Sequence, residues 1–169
     1  LVEVHEPTDC VHFWMIAGPY PRDETPPVPA YEPAEAPQLA PDGREWRRYQ
    51  MRIAPVLLDT VYGEDVDRSC AWAINFAHSV THQTVDVYAG FDDDGEIWIN
   101  DRQVPLRDDD NPFATWVDTS IGTAELRSGR NKIAVKTCDE DGGWRFYFRL
   151  AGNDGKRVPG VDWEYGFEE

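Results

Sequence analysis

Residues 91–101 read FDDDGEIWIND. A strand ends at Phe91, three carboxylates and Gly95 follow, and Trp98 then stands between Ile97 and Ile99. Alternation on both sides of an Asp-Gly turn is the pattern of a β-hairpin, because successive strand side chains point to opposite faces. Outward from it the period of two recurs. Val85, Val87 and Ala89 alternate with Thr84, Asp86 and Tyr88, and Trp72, Ile74, Phe76 and His78 with Ala73, Asn75 and Ala77. Downstream, Ile133, Val135 and Thr137 alternate with Lys132, Ala134 and Lys136, and Trp144, Phe146, Phe148 and Leu150 with Arg145, Tyr147 and Arg149.

No stretch carries a 3.6-residue period, and turn signals separate the runs: DDDG at 92–95, SGRN at 128–131, DEDGG at 139–143 and GNDG at 152–155. Residues 11–17, VHFWMIA, read as a buried strand closed by Gly18-Pro19, and 46–53 and 56–62 as further strands. The expectation is an all-β fold, a single β-sandwich over residues 1–169, with Trp72, Trp144, Phe146 and Phe148 in its core. Residues 19–41 are dense in proline, including Pro26-Pro27. Proline lacks the N–H donor, so this is a long extended surface segment, with Tyr20, Tyr31 and Leu39 to pin it to the sandwich.

The 169 residues include 32 acids against 16 bases, a net charge of −16, which repels phosphate backbones and argues against nucleic acid as a partner. No apolar run is long enough to span a membrane, and no secretory leader pattern opens the chain. At 41% hydrophobic residues the chain is expected to fold, as a monomer. Cys10, Cys70 and Cys138 leave the choice between one disulfide and three thiols open. His5, His12, His78 and His82 have no metal spacing, and no nucleophile or phosphate-loop motif is present, so the chain reads as a non-enzyme.

Strict alternation of strand direction would put the DDDG and SGRN turns at one end of the sandwich, with the 102–114 loop and the DEDGG turn at the other.

The motif order resembles the galactose-binding-like jelly rolls attached to bacterial glycoside hydrolases. There a V-W-V-N-G strand precedes L-x-x-G-x-N-x-L-x-V. Here Ile97, Trp98, Ile99 and Asn100 match the first, and Leu126, Gly129, Asn131, Ile133 and Val135 the second. The ends, WMIAGPY at 14–20 and GGWRFYFRL at 142–150, resemble domains of large secreted bacterial proteins. Asp101 replaces the usual glycine after Asn100, which implies a looser turn. A weaker likeness is to protective-antigen-type lectin domains, whose DDG contains a cis Asp-Asp pair that binds calcium and sugar; Asp93, Asp94 and Gly95 match it.

These resemblances imply a carbohydrate-binding accessory module of a larger secreted or cell-envelope protein, with carbohydrate or an adjacent domain of the same polypeptide as partner. The expected carbohydrate-binding residues are Asp93, Asp94, Asn131, Tyr88, Trp98 and Trp116. Carboxylates and amides would bind hydroxyls, and rings, Tyr147 and Trp163 among them, would stack on sugar C–H faces. A structural Ca²⁺ favours clustered oxygens, and Asp93, Asp94, Asp139 and Asp141 are its expected ligands, with Asp108, Asp109 and Asp110 as a further acidic run. The alternatives are a solvated Asp-Gly hairpin at 92–95, a structural module that packs on a neighbouring catalytic domain without a ligand, and a jelly-roll polysaccharide lyase or hydrolase.

Overall fold

The computed structural model describes residues 10–30, 43–50, 55–106 and 120–164. The expected strands at 11–17, 84–91, 131–138 and 144–151 and the alternating run 71–78 form, and the one expected at 96–101 ends at Ile99. They appear as β1 (Phe13–Pro21), β4 (Ser69–Ser79), β5 (Gln83–Asp92), β6 (Asp94–Ile99), β9 (Gly129–Asp139) and β10 (Arg145–Ala151). Shorter strands complete the set: β2 (Arg47–Gln50), β3 (Val56–Leu57), β7 (Arg102–Gln103), β8 (Ser120–Leu126) and β11 (Val161–Trp163). Among the described residues, one sheet runs β2-β1-β4-β9-β6-β7 with β11 on β4, and the other runs β3-β10-β5-β8. All pairings are antiparallel. The fold is an all-β sandwich.

Between the sheets, Trp14 meets Phe146 and Phe148 edge-on at 5.4 and 5.7 Å, and Ile97, Ile99, Ile133 and Val135 close the layer. From β4 this layer receives Ala71, Ala73 and Ala77, the small face. The large face is on the other side. Trp72, Ile74 and Phe76 join Ala17, Tyr20 and Ala134 in a second cluster, with Met15, Val28, Trp46 and Trp98 packed against it. Trp72 therefore lies outside the main core. The proline segment provides the cover: Trp72 donates its indole N–H to Pro26 O at 3.0 Å, and Lys132 Nζ reaches Pro29 O at 2.9 Å. Burying each of these large side chains is worth roughly 1.5–3 kcal/mol, which gives the segment a reason to lie down. Tyr31 and Leu39 fall outside the described residues.

Three local readings change. Gly18-Pro19 does not close β1. The strand continues to Pro21 through a bulge at which register with β4 shifts between Ala17 and Tyr20. A Cβ on Gly18 would stand 3.0 Å from Ala71 Cβ, so only glycine permits this approach. Residues 56–62 are not one strand: β3 gives way to a helical turn, α1 (Asp59–Tyr62). The turn after Asn100 is not loose. Asn100 and Asp101 both have positive φ (52° and 64°), the conformation of a two-residue hairpin that Asn and Asp tolerate. Asp101 pairs with Lys132 Nζ at 2.5 Å, and Asn100 bonds to β9 from both ends of its amide.

That hairpin also reverses the expected loop arrangement. β7 adds a change of direction between β6 and β8, so β8 and β9 run opposite to simple alternation. β9 lies antiparallel to β6 with Asp94 opposite Cys138. The DDDG and DEDGG turns therefore share one end of the sandwich, and SGRN lies at the other.

Candidate functional site

The shared end is strongly acidic. Asp93 Oδ2 accepts the backbone N–H of Glu140 at 2.7 Å and of Asp141 at 3.3 Å, tying one acidic turn to the other. Asp94 turns outward to Arg22 at 2.7 Å, and Glu140 meets Arg22 at 3.3 Å and Arg68 at 3.6 Å. Asp92 takes Arg145 Nε at 2.9 Å, and Asp59 Oδ2 accepts the Trp144 N–H at 3.0 Å. Asp59 Oδ2 and Asp92 Oδ2 converge beside Gly143, whose missing Cβ would lie 4.0 and 3.4 Å from them.

Asp139 sits inside this ring. It is 2% exposed, and its Oδ1 has no hydrogen-bond partner among the described residues. Burial, then the charges of Asp93, Asp67, Asp59 and Asp92, push its pKa up to about 7. Of the four expected metal ligands, Asp93 and Asp139 face this interior, Asp94 is committed to Arg22, and Asp141 is exposed. Sequence reasoning missed Asp59, Asp67 and Asp92.

An unsatisfied buried carboxylate oxygen among four further carboxylates fits the donor chemistry of calcium, a hard cation taking roughly six to eight oxygens. Among the described residues no three acids, imidazoles or thiols are closed on one point, so carbonyls and water would complete the shell. Asp139 and Asp93 are the residues that would hold the ion. The cis peptide joins Asp92 to Asp93, one residue before the pair that matches the lectin-domain DDG.

The remaining expected sugar residues do not gather here. Asn131 is at the far end of β9, eight residues from Asp139 and so about 25 Å away along the strand. It is fully buried and saturated. Its Oδ1 accepts from Asn100 Nδ2 (2.8 Å) and Arg127 N (2.9 Å), and its Nδ2 donates to Arg127 O and Gly129 O (both 2.9 Å). Asn131 is a structural hub with no lone pair left for a ligand. Replacing it with Ala strands Arg127 N–H and its buried neighbours, at about 1–3 kcal/mol per unsatisfied group, so a loss of about 3 kcal/mol is expected in urea unfolding. A loss below about 1 kcal/mol would contradict the hub role.

Trp98 packs on Trp72 with centroids 5.1 Å apart, and Tyr88 lies under the Arg149 guanidinium at 3.9 Å. Tyr147 is buried, and Trp163 packs edge-on to Phe148. Trp98, Tyr88 and Trp163 are half-buried, each packed against a neighbour on one side. Trp116 and Asp108, Asp109 and Asp110 lie outside the described residues.

An unforeseen cavity lies where the free edges of β7 and β8 face each other, at the end opposite the acidic turns. It is a groove of about 510 Å³, within the roughly 300–1,000 Å³ range of small-ligand sites. Arg102 and Gln103 line one wall, Thr123, Glu125 and Arg127 the other, and His82 its end; Ile99, Val104 and Ala124 supply apolar surface. Glu125 is held by Thr84 Oγ1 at 2.5 Å and His82 Nε2 at 3.2 Å. The one signal in the sequence was the Asn100-Asp101 turn, which points Arg102 and Gln103 back along the sheet edge.

Cys70 and Cys138, register partners on β4 and β9, form a disulfide; buried Cys10 is not part of it. No helix among the described residues is long and apolar enough to cross a membrane. Comparison of the chain with protein-family models, with curated proteins and with solved structures gave no match.

Proposed function

We propose that this chain is a non-catalytic carbohydrate-binding module of a larger extracytoplasmic protein, of galactose-binding-like jelly-roll type, with calcium steadying its acidic end. The observation that carries the reading is the groove between β7 and β8. It has the size of a saccharide site, walls of amide, hydroxyl and guanidinium groups suited to sugar hydroxyls, and an apolar floor for C–H faces. Its described walls hold a single carboxylate, Glu125, already bonded to Thr84 and His82, where glycoside hydrolysis commonly uses a pair. The Cys70–Cys138 bond suits an oxidising compartment.

Titration calorimetry against soluble polysaccharides, after a glycan array, tests this. Binding is expected, and Gln103→Ala with Thr123→Ala should weaken it several-fold, the size of about one hydrogen bond each. No heat with any polymer would overturn the reading. A second reading, a structural module that packs on a neighbouring domain, is favoured by Trp98 and Tyr88 each being packed against a neighbour within the chain. It expects no ligand, and a higher melting temperature when the neighbour is attached.

A further inference from the structure

We infer that the saccharide taken by the β7–β8 groove carries a carboxylate, that is, a uronic acid unit, received by Arg102 and Arg127. The inference rests on the groove being a saccharide site and adds the class of sugar.

The chain has a net charge of −16, so an arginine finds a carboxylate easily. The other described arginines all have a partner, whether a carboxylate, a ring or a carbonyl. Arg22, Arg68, Arg130, Arg145 and Arg157 contact carboxylates. Arg44, Arg47, Arg48 and Arg149 lie over aromatic rings. Arg127 donates Nε to Arg130 O at 3.0 Å, which fixes the base of its guanidinium and leaves the two terminal nitrogens unassigned. Among the described arginines, Arg102 alone has no ion pair, hydrogen bond or ring partner, and it lines the same groove as Arg127.

Two guanidiniums in one groove raise the local potential against the charge of the whole molecule. Glu125 keeps its charge while bonded to Thr84 and His82, so the described lining sets two guanidiniums against one carboxylate and stays net positive. A guanidinium presents paired N–H groups in a planar fork that matches the two oxygens of a carboxylate, and such charge-assisted pairs are stronger than neutral hydrogen bonds. A neutral sugar would leave both forks without their best partner. Gln103 amide and Thr123 hydroxyl, which make no other side-chain bonds among the described residues, would take the ring hydroxyls and separate a uronide from a simple anion.

The test is calorimetry at low and high salt with galacturonate and glucuronate oligosaccharides, neutral galactose and glucose oligosaccharides of equal length, and citrate. Uronate oligosaccharides are expected to bind, at least about tenfold more weakly in the Arg102→Ala and Arg127→Ala variants. Arg102→Lys, which keeps the charge and loses the fork, should recover only part of that loss. Added salt should weaken the binding, since the groups are exposed. Equal affinity for neutral oligosaccharides, untouched by the arginine substitutions, would overturn the uronate assignment and leave the saccharide reading standing. Equal affinity for citrate would reduce the groove to an anion site and overturn it too. No binding of any saccharide would overturn both. The substituted side chains are at the surface, and unchanged circular dichroism confirms that a loss belongs to the groove.

Discussion

Replacing Cys70 and Cys138 together by Ala is expected to lower stability by about 3–4 kcal/mol, with the sandwich still formed. The two residues face each other on β4 and β9, central neighbours whose backbones are already paired along their length. The bond therefore contributes little to the geometry of the native sheet. Its main effect is on the unfolded chain, where it closes a loop with a sequence separation of 68. Loop-closure entropy for a ring of that size is about 4 kcal/mol at 25 °C, and measured disulfides commonly give 2–4 kcal/mol. For a chain of this length such a loss is a drop of about 10 °C in Tm. Urea unfolding of the double variant against the oxidised parent gives the number directly. Both cysteines are buried, so reductant acts only through opening of the fold, and reduction of the native protein should be slow without denaturant. A loss of less than about 1 kcal/mol would show that β4 and β9 hold together equally well in the unfolded ensemble.

Strand runs such as 71–79, 84–91 and 144–150 are readable in the sequence because a half-buried strand must alternate, and alternation is local. Which face is the interior is not local. On β4 the large side chains Trp72, Ile74 and Phe76 look like core, yet they belong to the outer cluster, because residues 26–29 cover that face and the aromatic residues of β10 fill the space opposite Ala71 and Ala73. Strand direction is equally hidden. β7 is two residues long, too short to show any period, and the reversal it adds carries the DEDGG turn to the end where DDDG already lies. The acidic cluster follows from that one hairpin. Asp93 and Asp139 are visible as turn carboxylates, whereas Asp59 and Asp67 come from α1 and from the approach to β4, and only tertiary packing brings them near Asp139. The groove is hidden for the same reason: its walls are two sheet edges that no sequence pattern marks as neighbours.

In chelator, stability is expected to fall as pH rises from about 4 to 7, by up to about 4 kcal/mol, because of Asp139. Its carboxyl, ordinarily at 3.8, is raised to about 7 in the fold by burial and by the charges of Asp93, Asp67, Asp59 and Asp92. A group with a raised folded pKa binds its proton more tightly when native. Its contribution is therefore complete below about pH 4 and lost as pH passes through 7, at ~1.4 kcal/mol per pKa unit. The basic groups at this end do not relieve it directly: Arg22 and Arg68 are taken by Asp94 and Glu140, and Arg145 by Asp92. Asp139→Asn isolates the effect. The amide resembles the protonated acid, so the variant should match the parent near pH 4 and exceed it by several kcal/mol at pH 8. Calcium gives the second arm, since an ion bound only by the native state adds stability by mass action. Millimolar calcium should restore the parent at pH 8, where Asp139 is ionised, and leave Asp139→Asn little changed. Urea unfolding at pH 4, 6 and 8, with chelator or with calcium, checks all of this. Parallel pH curves for parent and variant would rule out the buried charge as the cause. Calcium stabilisation that persists in the variant would place the ion elsewhere on the molecule. The two arms together separate a carboxylate neutralised by its own proton from one that needs a cation above neutral pH.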